Sequence, residues 1–286
     1  MSIVVTGATG HLGRLVIAHL LARGVDAAGV TAVVRNADKA AGLAEQGVRL
    51  RVADYDEPES LRAAFAAGDR VLLVSGSEVG KRVAQHRALV DAAGAAGVAL
   101  LAYTGVLGGP AADFALADEH KATEELILAS GLPHVFLRNG WYTENYTENL
   151  DPVLAHGAVV ASAGAGRVAS AARADYAAAA AAVLTGEGHA GKAYELSGDT
   201  AWSFDEYAAA VAGATGRDIA YRNVSAAEHR GILVGAGLPE GLADILVDVD
   251  AAIGRGLLAG TSGDLARLIG RPTTPMPQTV AAAVKG

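Results

Sequence analysis

The chain has 286 residues, of which 51% are hydrophobic but only 5% aromatic, with 36 Gly and no Cys. That length accommodates one or two α/β units, and the lack of Cys excludes disulfides, thiolate metal ligands and Cys nucleophiles. With 23 basic against 31 acidic residues the net charge is −8, which argues against nucleic acid or an anionic membrane as the main partner and for a small molecule.

From residue 3 to 138, short β-branched or Leu-rich runs alternate with Ala-rich stretches of helical length. Strands are expected at 3–6, 29–34, 48–52, 70–75, 98–103 and 134–138, most of them apolar on both faces as in a parallel sheet covered on both sides. Helices are expected at 12–22, 59–66, 83–96 and 117–130, which completes a Rossmann-type doubly wound α/β pattern. After residue 140 the rhythm becomes irregular. Six alanines at 177–182 read as a helix packed closely on a neighbour, Ala193–Leu196 as a strand, and Ser203 with Glu206 as a capping box. The Gly-rich stretch 231–241 and the Pro-spaced tail 272–277 read as loops around short helices. The expected division is a doubly wound domain over 1–140 and a smaller α/β lobe over 141–286, partly interleaved with the first. No run reaches the ~18 apolar residues of a spanning helix and no basic region precedes an apolar one at the start, so a cytoplasmic protein is expected.

The strongest local signal is Thr6-Gly7-Ala8-Thr9-Gly10-His11-Leu12-Gly13, which follows the first strand and opens the first helix. Glycines spaced GxxGxxG let a pyrophosphate approach the backbone, where a helix N-terminus offers free N–H groups and a positive dipole end. Gly7, Ala8, Thr9, Gly10, His11, Leu12 and Gly13 are therefore candidate cofactor ligands. The second strand ends in Val34-Arg35-Asn36, with Lys39 one turn later and no acid in place. A 2′-phosphate needs positive charge there, so Arg35 favours NADPH, with NADH kept as a second cofactor. Asp54, after the third strand, reaches the adenine edge or caps the next helix. Ser75, Gly76, Ser77, Tyr103 and Thr104 end the fourth and fifth strands at the carboxyl edge of the sheet, where ligands of open α/β folds bind.

Other chemistries are excluded by the residues themselves. Lys192 after the 186–191 glycine stretch is followed by Ala193, not by a magnesium-binding hydroxyl, and there is neither a GxSxG elbow nor an HExxH motif. The eight His include no pair four apart, so no metal is expected. No Tyr has a Lys four residues on, so the YxxxK pair of ordinary short-chain dehydrogenases is missing. Trp141, Tyr142 and Tyr146 crowd into six residues beside Asn139 and Asn145, just past the sixth strand. Such rings and donors suit a flat apolar ligand with carbonyl oxygens; the alternative is a lobe interface packed with aromatics.

These segments, with Ser77-Glu78-Val79-Gly80, Gln85-His86, Ala117-Asp118-Glu119-His120, Ala172-Arg173-Ala174-Asp175-Tyr176, Gly198-Asp199 and Gly237-Leu238-Pro239, resemble the bacterial NAD(P)H:quinone oxidoreductase type 2 proteins over nearly the whole chain. That family is an NmrA-like branch of the atypical short-chain dehydrogenases. The resemblance implies two-electron reduction of a quinone by NADPH through direct hydride transfer, without flavin. It implies Asn139, Tyr142 and Asn145 as donors to the developing oxyanion, Trp141 and Tyr146 as ring walls, Arg138 at the cofactor, and Arg173 at the cofactor or the second lobe. Related reductases often carry a Lys in the helix before the sixth strand; here that position is His120, beside Lys121, which leaves His120, Lys121 or neither as the proton source. A homodimer stays open. The competing class is a non-catalytic NmrA-like redox sensor, which the missing YxxxK pair fits equally well; the specific Asn-Gly-Trp-Tyr segment favours the enzyme.

Overall fold

Val30–Val34 is buried at all five residues, which requires an interior strand covered on both faces. The computed structural model provides that cover. It describes residues 2–78 and 80–285, so Met1, Gly286 and the Val79 of the 77–80 segment lie outside the described residues. The strands are β1 (Ile3–Val5), β2 (Val30–Val34), β3 (Arg49–Val52), β4 (Arg70–Leu73), β5 (Leu100–Val106), β6 (His134–Asn139), β7 (Ala158–Ala161), β8 (Arg167–Val168), β9 (Ala193–Leu196), β10 (Trp202–Ser203) and β11 (Ala220–Asn223). The helices are α1 (His11–Ala22), α2 (Ala41–Glu45), α3 (Pro58–Arg62), α4 (Arg82–Ala96), α5 (Ala115–Ser130), α6 (Glu144–Thr147), α7 (Asp151–His156), α8 (Arg173–Thr185), α9 (Phe204–Thr215), α10 (Ala226–Gly235), α11 (Glu240–Gly254), α12 (Asp264–Ile269) and α13 (Met276–Lys285).

Two compact units result. The first comprises Met1–Gly109, Glu119–Asn139 and Arg173–Glu195, so α8 and β9 belong to it although they follow residue 140. Its seven-stranded sheet runs β3-β2-β1-β4-β5-β6-β9, a Rossmann-type parallel sheet with helices on its faces. The order reverses at β1, which pairs in parallel with β2 on one side and β4 on the other. Such a reversal opens a crevice at the carboxyl ends of the two central strands, here where β1 and β4 end. Leu12, Val16, Ile17 and Leu20 of α1 are buried, and α8 lies along α1. All six alanines of 177–182 are buried, and side chains that small let two helix backbones draw close. Among the described residues no helix is long and apolar enough to cross a membrane.

The second unit comprises Pro110–Asp118, Gly140–Ala172 and Leu196–Gly286. In it β7 pairs in parallel with β11, and β8 antiparallel with β10. The expected capping box opens α9: Ser203 Oγ accepts the Glu206 amide at 3.3 Å and the Glu206 carboxylate accepts the Ser203 amide at 2.8 Å.

Several boundaries differ from expectation for identifiable reasons. β4 ends at Leu73 because the next amides turn to side chains: Ser75 N–H donates to Thr104 Oγ1 at 2.8 Å and Gly76 N–H to His86 Nε2 at 3.0 Å. β5 runs on to Val106 because its pairing with β6 continues through Thr104, Gly105 and Val106. α3 stops at Arg62, where the Ala64 amide turns to the Leu61 carbonyl and Asp69 caps the Ala66 amide. Stretch 231–241 is mostly helical: α10 runs to Gly235 and α11 begins at Glu240. The Ser225 N-cap, which accepts the Glu228 amide, and the Ile232-Leu233-Val234 run offset the ~1 kcal/mol each helical Gly costs.

Candidate functional site

The site in the first unit begins where β1 ends. Gly7 takes φ +58°, a left-handed turn that favours glycine, and a Cβ there would lie 3.3 Å from the Val74 Cβ. A Cβ at Gly13 would lie 2.8 Å from the Ala8 Cα and closer still to the Gly7 carbonyl oxygen. The first turn of α1 is thereby pressed against the loop. Gly10 is the N-cap with no side-chain cap, and the first turn carries no acid. Gly7, Gly10 and His11 are exposed and Thr9 half-exposed, whereas Ala8, Leu12 and Gly13 are buried beneath them. Open N–H groups at a positive helix end, with no Cβ in the way, form a cradle for a diphosphate. The residues present fit a dinucleotide.

The edges of the cradle carry the other expected ligands. Arg35 follows β2 with its side chain 70% exposed, and it meets Glu78 at 3.4 Å. Asn36 Oδ1 accepts the amides of Asp38 and Lys39 and holds the turn that displays Arg35. Asp54 follows β3, half-buried. It does not cap α3, whose N-cap is Glu57; its Oδ1 accepts the Asp56 amide instead. Beside it the Tyr55 hydroxyl is pushed up to about 12, chiefly by burial.

Past β4, the Ser75-Gly76-Ser77 segment is held from behind by buried polar groups. His86 Nε2 receives the Gly76 amide, and its Nδ1 lies 2.9 Å from Thr123 Oγ1, which donates to the Glu119 carbonyl. An acceptor at Nε2 leaves the proton on Nδ1. Arg82 Nε donates to the Gly76 carbonyl at 2.8 Å, and its Nη1 pairs with Glu119, which also takes the Gly80 amide. Sequence reasoning missed Arg82 altogether and took Gln85-His86 only as part of a resemblance. Burial, then the Arg82 charge, hold His86 down to about 3. Next to this group Tyr103 is fully buried, and its hydroxyl lies 2.7 Å from His120 Nδ1. His120 is likewise held down to about 3 by burial, Arg82 and His86, and burial raises Tyr103. His120 is thus a neutral imidazole packed on Tyr103, while Lys121 beside it is half-buried.

Arg138, expected at the cofactor, spends its guanidinium on carboxylates. It makes a two-bond fork with Glu124, at 2.9 and 2.8 Å, and a third bond to Glu195 at 2.8 Å. A Cβ at Gly109 would collide with the Arg138 guanidinium, so that glycine makes room for the ion triad. Arg173 and Asp175 are buried in the first turn of α8, and Asn139 is buried at the end of β6.

The aromatic segment lies in the second unit. Trp141 and Tyr142 are half-buried beside a bridge from Tyr142 to Ala171, and Asn145 is exposed. Tyr146 instead joins an aromatic core, edge-on to Trp202 at 5.2 Å and to Phe204 at 5.5 Å, with Tyr207 at 5.7 Å. The Tyr207 hydroxyl donates to the Tyr146 carbonyl at 2.7 Å, and burial raises the Tyr146 phenol. Trp202, Phe204 and Tyr207, clustered in the sequence, were the available sign of this core. Among the described residues no group of three His, Cys, Asp or Glu could hold a metal ion.

Comparison with known proteins agrees with the loop geometry. A family model of NAD(P)H-binding proteins matches residues 7–187. The chain is 46% identical over 278 residues to quinone oxidoreductase 2 of Escherichia coli, covering 97% of each chain. The crystal structure of an NADPH-dependent quinone oxidoreductase from E. coli, complexed with NADPH, matches with a TM-score of 0.95 at 45% identity, over 98% of this chain and 99% of that one. A triphenylmethane reductase from Citrobacter sp., complexed with NADP(H), matches with a TM-score of 0.94 at 44% identity, over 99% and 100%. This chain therefore belongs to the NAD(P)H-binding family, in the group of quinone oxidoreductase 2 to which its motifs pointed.

Proposed function

We propose that this chain is an NADPH-dependent quinone oxidoreductase that works by two-electron hydride transfer without flavin or metal. The observation that carries the reading is the uncapped N-terminus of α1 pressed onto the glycine loop, with space that a Cβ at Gly13 would fill. Likeness to an E. coli enzyme described as an NADPH-dependent quinone oxidoreductase, at 45% identity over 98% of this chain, supports it. When bound, NADPH supplies the hydride from its nicotinamide ring.

The chain's own residues bind, orient and stabilise. Backbone N–H groups at the N-terminus of α1 take the pyrophosphate, Arg35 and Lys39 the 2′-phosphate, and Asp54 the adenine edge. His86 and Arg82 fix both polar atoms of Gly76, so the Ser75–Ser77 backbone meets its ligand already ordered. In this reading Asn139, Tyr142 and Asn145 donate to the quinone oxygen as charge develops on it, and Trp141 borders the ring. Tyr146 backs that wall through its aromatic core, Arg173 braces the start of α8, and Arg138 serves the ion triad and not the cofactor. A neutral His120 carries no cationic proton to give, which leaves Lys121 as the acid of this proposal. The absence of Cys suits a reducing cytoplasm.

The test is steady-state oxidation of NADPH by benzoquinone and menadione, using protein whose absorption spectrum is free of flavin. Turnover well above the uncatalysed rate is expected. Intact NADPH binding with no turnover on either quinone would overturn the enzyme reading in favour of a redox sensor. A triphenylmethane dye run alongside ranks the acceptor classes.

A further inference from the structure

One cation at the cradle is bonded in a way that the preceding assignments leave unused. Arg14 lies in the first turn of α1 and is exposed. Its Nε donates to the Thr9 carbonyl at 2.9 Å and its Nη2 to the Lys39 carbonyl at 3.1 Å. The first bond fastens it to the glycine loop; the second fastens it to the short turn Asp38–Ala40 that follows Arg35. Asn36 braces that turn from within, and Arg14 ties it to the loop from outside.

Charge distinguishes this tie from simple scaffolding. Two carbonyls can be bridged by a neutral amide side chain, yet here the bridge is a guanidinium, and among the described residues no carboxylate pairs with it. Arg35 differs, since it shares Glu78 with Lys81. A guanidinium has five N–H donors in a planar fork, and the two carbonyl bonds use two of them. The rest of the fork stays available beside Lys39, on the turn that follows Arg35, where positive charge favours an anion.

We propose that Arg14 is a specificity-determining residue: with Arg35 and Lys39 it completes the cationic pocket for the 2′-phosphate of NADPH. By bonding Thr9 and Lys39 at once, it also sets the spacing between the loop for the pyrophosphate and the turn for the 2′-phosphate, two groups whose separation the ribose fixes. This rests on the cofactor reading above.

The experiment is isothermal titration of the wild type, Arg14→Gln, Arg14→Met and Arg14→Lys with four probes: NADPH, NADH, adenosine 2′,5′-bisphosphate and ADP. Arg14→Gln and Arg14→Met should lose about tenfold in affinity for NADPH and the bisphosphate, and stay within about twofold for NADH and ADP. Arg14→Lys should fall between, because it keeps the charge but not the fork. Equal losses on all four probes would make Arg14 a loop tie only, and no loss on any would remove it from the site; either result overturns the proposal. A wild type that binds neither NADPH nor NADH would overturn the cofactor reading itself, whereas one that binds both equally would overturn only the pocket. Thermal melting checks that each variant folds, and Arg14→Lys decides the matter should the neutral variants not fold.

Discussion

His86 Nε2 accepts the Gly76 amide at 3.0 Å, so an imidazole carried on α4 sets the backbone just beyond β4. The ring is fully buried, and its other nitrogen is taken up by Thr123. Replacing it should leave a half-buried amide without an acceptor, which costs up to about 1–3 kcal/mol. His86→Ala is expected to lower the urea midpoint accordingly and to weaken NADPH binding roughly tenfold. Unchanged NADPH affinity in a destabilised variant would confine His86 to the core.

Acid should act on this same region before it acts on carboxylates. His86 and His120 are held down to about 3 in the folded chain, against about 6.5 when exposed. As pH falls below 6.5 the unfolded chain takes up protons at both positions and the folded chain does not. Their contribution is therefore complete above about pH 6.5 and is lost progressively toward pH 3, with a slope approaching about 1.4 kcal/mol per pH unit per histidine. Half-exposed His189 shifts the same way and adds less. Urea unfolding at pH 7, 6 and 5 measures this, and a flat stability across that range would contradict it.

Gly13→Ala should abolish the cradle more than it harms the fold. The new methyl would run into Ala8 and the Gly7 carbonyl oxygen, so the loop must move. A loss of roughly a hundredfold in NADPH affinity is expected by fluorescence titration. Gly94→Ala on α4 is the control, because nothing lies within 4 Å of its Cβ position; it should raise stability by about 0.4–1 kcal/mol and leave binding alone. Wild-type affinity in Gly13→Ala would move the phosphate site elsewhere.

Arg138→Met separates the two roles considered for that arginine. Glu124, whose side chain is 4% exposed, would lose its fork partner, and a buried charge stripped of its partner costs about 3–5 kcal/mol. Denaturation should show that loss while the NADPH dissociation constant barely changes. A large drop in affinity with stability intact would return Arg138 to the cofactor.

Tyr142→Phe removes one hydroxyl and keeps the ring. With a donor lost at the quinone oxygen, kcat for menadione should fall about tenfold or more, with NADPH binding unaffected. An unchanged kcat would take the Tyr142 hydroxyl out of the reaction.

What could be read from the sequence followed the range of the interactions that decide each feature. The glycine loop was legible because its strand, turn and helix lie within residues 3–22 and each part is dictated locally. The parallel sheet was legible because strands such as Val30–Val34 are apolar at nearly every position. The end of β4 was not, because Thr104 and His86 claim the amides of Ser75 and Gly76 from elements far along the chain. Tyr146 looked like its neighbours Trp141 and Tyr142 until Trp202, Phe204 and Tyr207 gathered around it. Arg138 carried no sign of its acceptors, since Glu124 and Glu195 come from α5 and β9.

The late arrival of α8 and β9 in the first unit bears on how the chain is made. The glycine loop leaves the ribosome well before the helix that lies along α1 and the strand that closes the sheet beside β6, which end at Thr185 and Leu196. At about 5–20 residues per second, the nascent chain spends roughly 3–11 s with β6 as an open edge and about 8–33 s with α1 bare on one side. During that interval the nucleotide has no finished cradle to stabilise, and the exposed β6 edge is open to pairing with other chains. Ligand added during synthesis should therefore begin to rescue folding only after residue 195 has emerged.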